Sequence, residues 1–154
     1  MGPRKGLSVI ENRLEQAFPQ LRFSAYEIKS PYTPEYNCIA WAAGENDRWW
    51  WPDQKKEYFW PEEIPRRESL EVFISAFKLL GYCPCSAASL ERGFDKVAIY
   101  ADENGIPKHM ARQLPSGMWT SKLGPWEDIE HTLEGLFGAT YVRVVQILKR
   151  PLNS

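Results

Sequence analysis

The sequence predicts an α+β fold in one domain spanning residues 1–154, and three observations predict it. Apolar stripes at helical spacing occupy the first half of the chain. Short strands divided by turn dipeptides occupy the second, without the strand–helix alternation of a parallel sheet. The length of 154 residues and the 44% hydrophobic content suit a single core and exclude a disordered chain.

Residues 7–18 align Leu7, Ile10, Leu14, Ala17 and Phe18 on one side of a helix, with Ser8 and Glu11 as a capping box and Pro19 as the stop. Residues 22–29 alternate weakly and read as a short strand or an extended arm. After a Pro- and Tyr-rich loop, residues 38–44 (CIAWAAG) form a run of small apolar residues that suits a helix ending at Gly44. Residues 45–67 hold two Trp-Pro pairs and no clean period, which predicts a long ordered loop or short helical turns. Residues 68–80 space Leu70, Phe73, Ile74, Phe77 and Leu80 helically, and Gly81 stops them. Residues 96–105, 108–114 and 118–124 then read as an antiparallel meander turned at Asn104-Gly105 and Ser116-Gly117. Residues 125–138 read as a helix with Ile129, Leu133, Leu136 and Phe137 inward. Residues 141–150 give a last strand before Pro151.

Charge narrows the function classes. Nineteen Lys and Arg against 20 Asp and Glu leave a net −1, and the longest basic cluster is Lys55-Lys56, so no nucleic-acid partner is expected. No apolar run approaches the roughly 18 residues of a spanning helix, so no membrane partner is expected either. The first residues lack a signal-peptide hydrophobic region, and Pro3 after Met1-Gly2 is unsuited to N-myristoylation. Three cysteines, an odd count, without a secretory signal point to reduced thiols in the cytoplasm, which leaves export by a route that needs no signal open. No cofactor and no metal are expected. Cys83-Pro84-Cys85 reads as a turn carrying two thiols, its spacing being shorter than zinc ligand pairs use.

Cys38 opens a predicted helix, where unpaired N–H groups and the positive end of the helix dipole favour thiolate, the nucleophile of acyl transfer. The alternative is an ordinary buried cysteine. Of two histidines, His109 lies on the second strand of the meander, as a base facing a helix start would, and His131 falls mid-helix in a structural or solvated role. A third group must orient the imidazole. A two-residue turn in the meander sets Thr120 opposite Gln113, whereas a longer one brings Ser121 to the His109 face. Candidate oxyanion donors are the Cys38 N–H with Asn37, Tyr32 or Tyr26.

The segments YNCIAWAAG, KVAIYADENG, KHMARQLPSGMWTSKLG and DIEHTLEGLFG resemble a family of small bacterial proteins related to the NlpC/P60 and papain-like cysteine peptidase superfamily. The resemblance runs from about Tyr32 to Val144. It implies a papain-like fold with a Cys-bearing helix packed on an antiparallel sheet, Cys38 as nucleophile and His109 as base. Ser121 or Thr120 falls near the third position, where that superfamily more often has His, Asn or Gln, and Asn37 replaces its usual Asp. The expected activity is that of a cysteine hydrolase or acyl-transfer enzyme (peptidase, amidase or deamidase) acting on a peptide or protein, in the manner of a bacterial effector or toxin. The alternative is an inactive relative that binds a peptide or partner protein through its Trp-rich loop.

Five of the seven tryptophans lie between Trp41 and Trp60. Most are expected to anchor the loop, with one or two, such as Trp51, lining a cleft. Trp41, Trp119 and Gln113 are the other expected substrate contacts, by their predicted positions beside Cys38 and His109.

Overall fold

A computed structural model describes residues 7–152; the reading of Met1-Gly2-Pro3 lies outside them. Three helices form among the described residues: α1 (Val9–Ala17), α2 (Cys38–Ala42) and α3 (Leu70–Lys78). Seven strands form one sheet: β1 (Glu27–Ser30), β2 (Cys83–Cys85), β3 (Phe94–Ala101), β4 (Pro107–Gln113), β5 (Trp119–Lys122), β6 (Asp128–His131) and β7 (Arg143–Pro151). Their spatial order is β1-β6-β5-β4-β3-β7-β2, and every neighbouring pair is antiparallel. The protein is therefore mixed α and β, with β1 between α1 and α2 and the other six strands after α3.

Local chemistry sets these elements. Ser8 and Glu11 exchange side-chain and backbone hydrogen bonds of 3.0 and 3.1 Å, closing the capping box that starts α1. Ser69 caps α3, whose Val72, Phe73, Ala76 and Phe77 are buried. In the β3–β4 turn, Asp102 Oδ1 accepts from the N–H groups of Asn104 and Ile106, and Gly105 takes a positive φ of 78° that a side chain would resist.

The sheet is covered on both faces. Val97, Ile99, Met110 and Leu148 face α2, α3 and the buried Trp50 and Trp60; Ala98, Tyr100, Ala111, Trp119 and Ile129 face Leu14 of α1, Phe18, Leu21 and Leu136. Alternation along β4 puts His109 on the α1 side with Ala111, and Met110 on the α2 side.

Two expectations change. Residues 125–138 are not a helix: they form β6 and a 3-10 turn, Glu134–Leu136. Gly124 at φ 62° and the Leu123 N–H bond to the Glu127 carbonyl (3.2 Å) close a tight β5–β6 turn, so the chain returns as a strand paired from Lys122↔Asp128 to Trp119↔His131. Cys83-Pro84-Cys85 is an edge strand on β7 rather than a turn, and Pro84, lacking an N–H, blunts that edge against further pairing.

The sheet also opens in its middle. β5 pairs β4 only at Arg112↔Thr120 and Gln113↔Trp119, although it follows β6 to its end. From Met110 toward Pro107, β4 thus loses its neighbour on that side, and α2 packs against both strands there.

Candidate active site

A directional chain of hydrogen bonds ends at His109. His109 Nε2 lies 2.8 Å from Ser121 Oγ, Ser121 Oγ lies 2.7 Å from His131 Nε2, and His131 Nδ1 lies 2.6 Å from the Thr132 carbonyl. All three side chains are fully buried. A carbonyl only accepts, so His131 Nδ1 carries the proton and its Nε2 accepts from the Ser121 hydroxyl. The Ser121 oxygen then accepts from His109 Nε2–H. That leaves His109 Nδ1 as an unprotonated acceptor, and it is buried without a partner. Both rings are neutral at pH 7: burial pushes His131 down to about 4, and burial, then the neighbouring His131, holds His109 well below the ordinary imidazole value.

Cys38, the first residue of α2, belongs to the core on the other face of the sheet, and its sulfur makes no hydrogen bond to the unpartnered His109 Nδ1. Its side chain is 5% exposed. Burial pushes the thiol up to about 11, against backbone hydrogen bonds from Met110, Ile39 and Cys38 itself and the charge of Lys122. The expectation of a helix-favoured thiolate is therefore corrected: α2 has five residues, and the desolvation outweighs its N-terminal dipoles. Met110 is the chain neighbour of His109. Tyr141 spans the gap, stacking on the His109 ring at 4.5 Å and lining, with Cys38, an open pocket of ≈330 Å³. Trp49, Trp51, Tyr58 and Lys108 line it too.

The other expected site residues scatter. Ser121, not Thr120, reaches His109, because the β4–β5 turn is long enough to set Gln113 opposite Trp119; Thr120 faces α2 and accepts from Trp41 Nε1 at 3.0 Å. Trp41 is a half-buried prop between Tyr36 and Arg112, and Trp119 is buried in the α1-side core, so neither lines the pocket. Gln113, at the far end of β4, donates to the Ala88 and Gly117 carbonyls. Trp51 does line the pocket, beside Trp49, while Trp50 and Trp60 are buried anchors. Tyr32 is 56% exposed, and Tyr26 donates to Glu15.

Asn37 has a structural task in place of the expected oxyanion role. Its Oδ1 accepts from the N–H groups of Ala40 (3.2 Å) and Trp50 (3.0 Å), and its Nδ2 donates to the Trp50 carbonyl (2.7 Å). One amide caps α2 and fastens the Trp-rich loop to it. Replacing Asn37 with alanine is expected to remove about 3 kcal/mol of stability, a lost cap plus two stranded buried backbone groups, read from urea unfolding at neutral pH.

His131, Lys122 and Tyr141 are the site residues that sequence reasoning missed. The signal for His131 was the Gly124-Pro125 turn, which makes residues 128–131 the return strand of a hairpin and sets Ile129 and His131 on one face. Among the described residues, no group of three His, Cys, Asp or Glu side chains is placed to hold a metal ion, and no helix is long and apolar enough to cross a membrane.

Fold and site together define an α+β protein whose seven-stranded antiparallel sheet carries a buried histidine–serine–histidine relay beside a buried cysteine. The chain belongs to the family described as Domain of unknown function (DUF7689), which matches residues 27–149 and so takes in every residue of the site. No curated protein and no solved structure matches it.

Proposed function

We propose that the protein is a cysteine hydrolase or acyl-transfer enzyme of papain-like architecture, with Cys38 as nucleophile and His109 as base. The observation that carries this reading is the free Nδ1 of His109. The relay through Ser121 and His131 fixes the ring's tautomer, so the lone pair without a partner belongs to the chain neighbour of Met110, which shares the α2-side core with Cys38. Because thiol and imidazole are both neutral at rest, the sulfur attacks the carbonyl as its proton passes to Nδ1. The imidazolium then protonates the leaving group, a thioester forms on Cys38, and water or another acceptor completes transfer. Peptide cleavage, amide hydrolysis and deamidation share that acyl-enzyme. The pocket holding Cys38 opens between aromatic walls, which suits a peptide or protein chain as substrate.

The test uses p-nitrophenyl acetate on the full chain. We expect a burst of p-nitrophenolate approaching one equivalent, with the acetyl group mapped to Cys38 by mass spectrometry and absent from Cys38→Ala. Acetylation confined to the exposed Cys83 would overturn the reading.

The burial of the sulfur favours a second reading, an inactive relative that grips a peptide with Trp49, Trp51 and Tyr58. Peptide binding that persists unchanged in Cys38→Ala, with no acylation of the parent protein, is the outcome expected of it.

A further inference from the structure

We propose that Lys122 is the fixed counter-cation of Cys38, a positioning residue that stabilises the negative charge formed on the sulfur when its proton leaves. The inference rests on the reading of Cys38 as nucleophile and adds the group that makes its ionised form tolerable. Lys122 follows Ser121 on β5 but faces the α2 side. It is fully buried.

Its ammonium donates to the Thr33 carbonyl at 2.7 Å and the Gly124 carbonyl at 2.6 Å, and lies 4.9 Å from the centre of the Tyr36 ring. Thr33 precedes Cys38 on the loop that leads into α2, and Gly124 belongs to the pocket wall that contains Cys38. The lysine therefore stands where the two segments framing the sulfur meet. No carboxylate closes an ion pair with it among the described residues. Of the acidic groups facing it from the β5–β6 hairpin, Glu127 pairs with Arg13, and Asp128 accepts from the Tyr36 hydroxyl at 3.4 Å through Oδ2 while its Oδ1 is buried without a hydrogen-bond partner.

A buried cation without a salt bridge is expensive to keep. An ionised Cys38, like Asp128 and Glu127, favours the charged lysine, and the charged lysine in turn favours ionisation of the thiol. With His109 and His131 neutral, the positive charges about the sulfur are the buried Lys122 and, on the pocket wall, the more exposed Lys108, which reaches Glu68 at 3.9 Å and Asp102 at 4.0 Å. Burial lowers the lysine to about 8, so its charge is present at neutral pH and leaves as the pH rises through that value.

The test reads ionisation rather than catalysis: iodoacetamide labelling of Cys38 and Cys83, resolved by mass spectrometry across pH 6–10, in the wild-type chain, Lys122→Met and Lys122→Arg. Lys122→Met is expected to slow labelling of Cys38 about tenfold at pH 7, one pKa unit, with Cys83 unchanged, and Lys122→Arg to keep the wild-type rate at pH 7. In the wild-type chain, the Cys38 rate should climb by less than tenfold per pH unit between about pH 7.5 and 9, as the lysine discharges, and by the full tenfold in Lys122→Arg. This profile stands even where Lys122→Met does not fold. A full tenfold slope throughout in the wild type, or faster labelling of Cys38 in a folded Lys122→Met, would show a structural clamp only and overturn the proposal. A failure of the nucleophile reading looks different: the ester burst is missing while labelling still responds to Lys122.

Discussion

Replacing His109 with alanine is expected to slow acetylation of Cys38 by p-nitrophenyl acetate about 10³-fold at pH 7, the middle of the range for a lost general base. The size follows from the resting state of the pair. A thiol held near 11 is almost wholly protonated at neutral pH, so attack needs a base to take the proton during the reaction, and Nδ1 of His109 is the acceptor that the relay leaves free. Ser121→Ala cuts the relay one bond earlier. It releases both tautomers of His109, and the expected loss is about 10²-fold, since the wrong tautomer puts N–H where the lone pair should be. The pH profile adds a sign. His109 titrates below the ordinary imidazole value, so the burst rate should hold level as the pH falls from 8 to 6.5 and drop only below that. A preformed thiolate–imidazolium pair gives a different curve. Stopped-flow release of p-nitrophenolate separates the cases, and a folded His109→Ala with the wild-type burst rate would remove the histidine from the mechanism.

Acidification is expected to destabilise the fold through the same histidines. His131 is pushed down to about 4 in the folded chain and returns to the ordinary value near 6.5 when unfolded, so the unfolded chain binds its proton first as the pH falls. Stability from this residue is intact above pH 6.5 and is lost progressively from there to pH 4. The loss is on the order of 3 kcal/mol at 1.36 kcal/mol per pKa unit. His109 shifts in the same direction and adds to it. Urea unfolding of the wild type and His131→Gln, at pH 7 and at pH 4, isolates the contribution: the stability gap between them should move by about 3 kcal/mol in favour of the variant at low pH. A gap that stays constant would mean that His131 is free to charge in place.

Much of this architecture was legible from residue patterns. Ser8 with Glu11, the stripe from Leu70 to Phe77 and the turn at Asn104-Gly105 each state their own local structure, and the structure has α1, α3 and the β3–β4 hairpin there. The segment DIEHTLEGL was not legible in the same way. Ile129, Leu133 and Leu136 sit at helical spacing by coincidence, because a four-residue strand and a 3-10 turn follow one another with one apolar group from each facing the same core. Nor does β6 alternate polar with apolar: Asp128 and His131 are buried among β1, β5 and the loops, and tertiary pairing overrides the local pattern. That misreading hid the far end of the relay. The choice between Ser121 and Thr120 depended on one residue of turn length, which strand periodicity turns into a change of face. The state of Cys38 could not be read at all, since a helix start argues for ionisation and only the packed structure tells how little water remains.

The amide of Asn37 grips Trp50 by both backbone groups while sitting one position before Cys38, and the rings on either side of Trp50 line the pocket. Through Trp50, the spacing of Trp49 and Trp51 bears on the same amide that caps the first turn of α2.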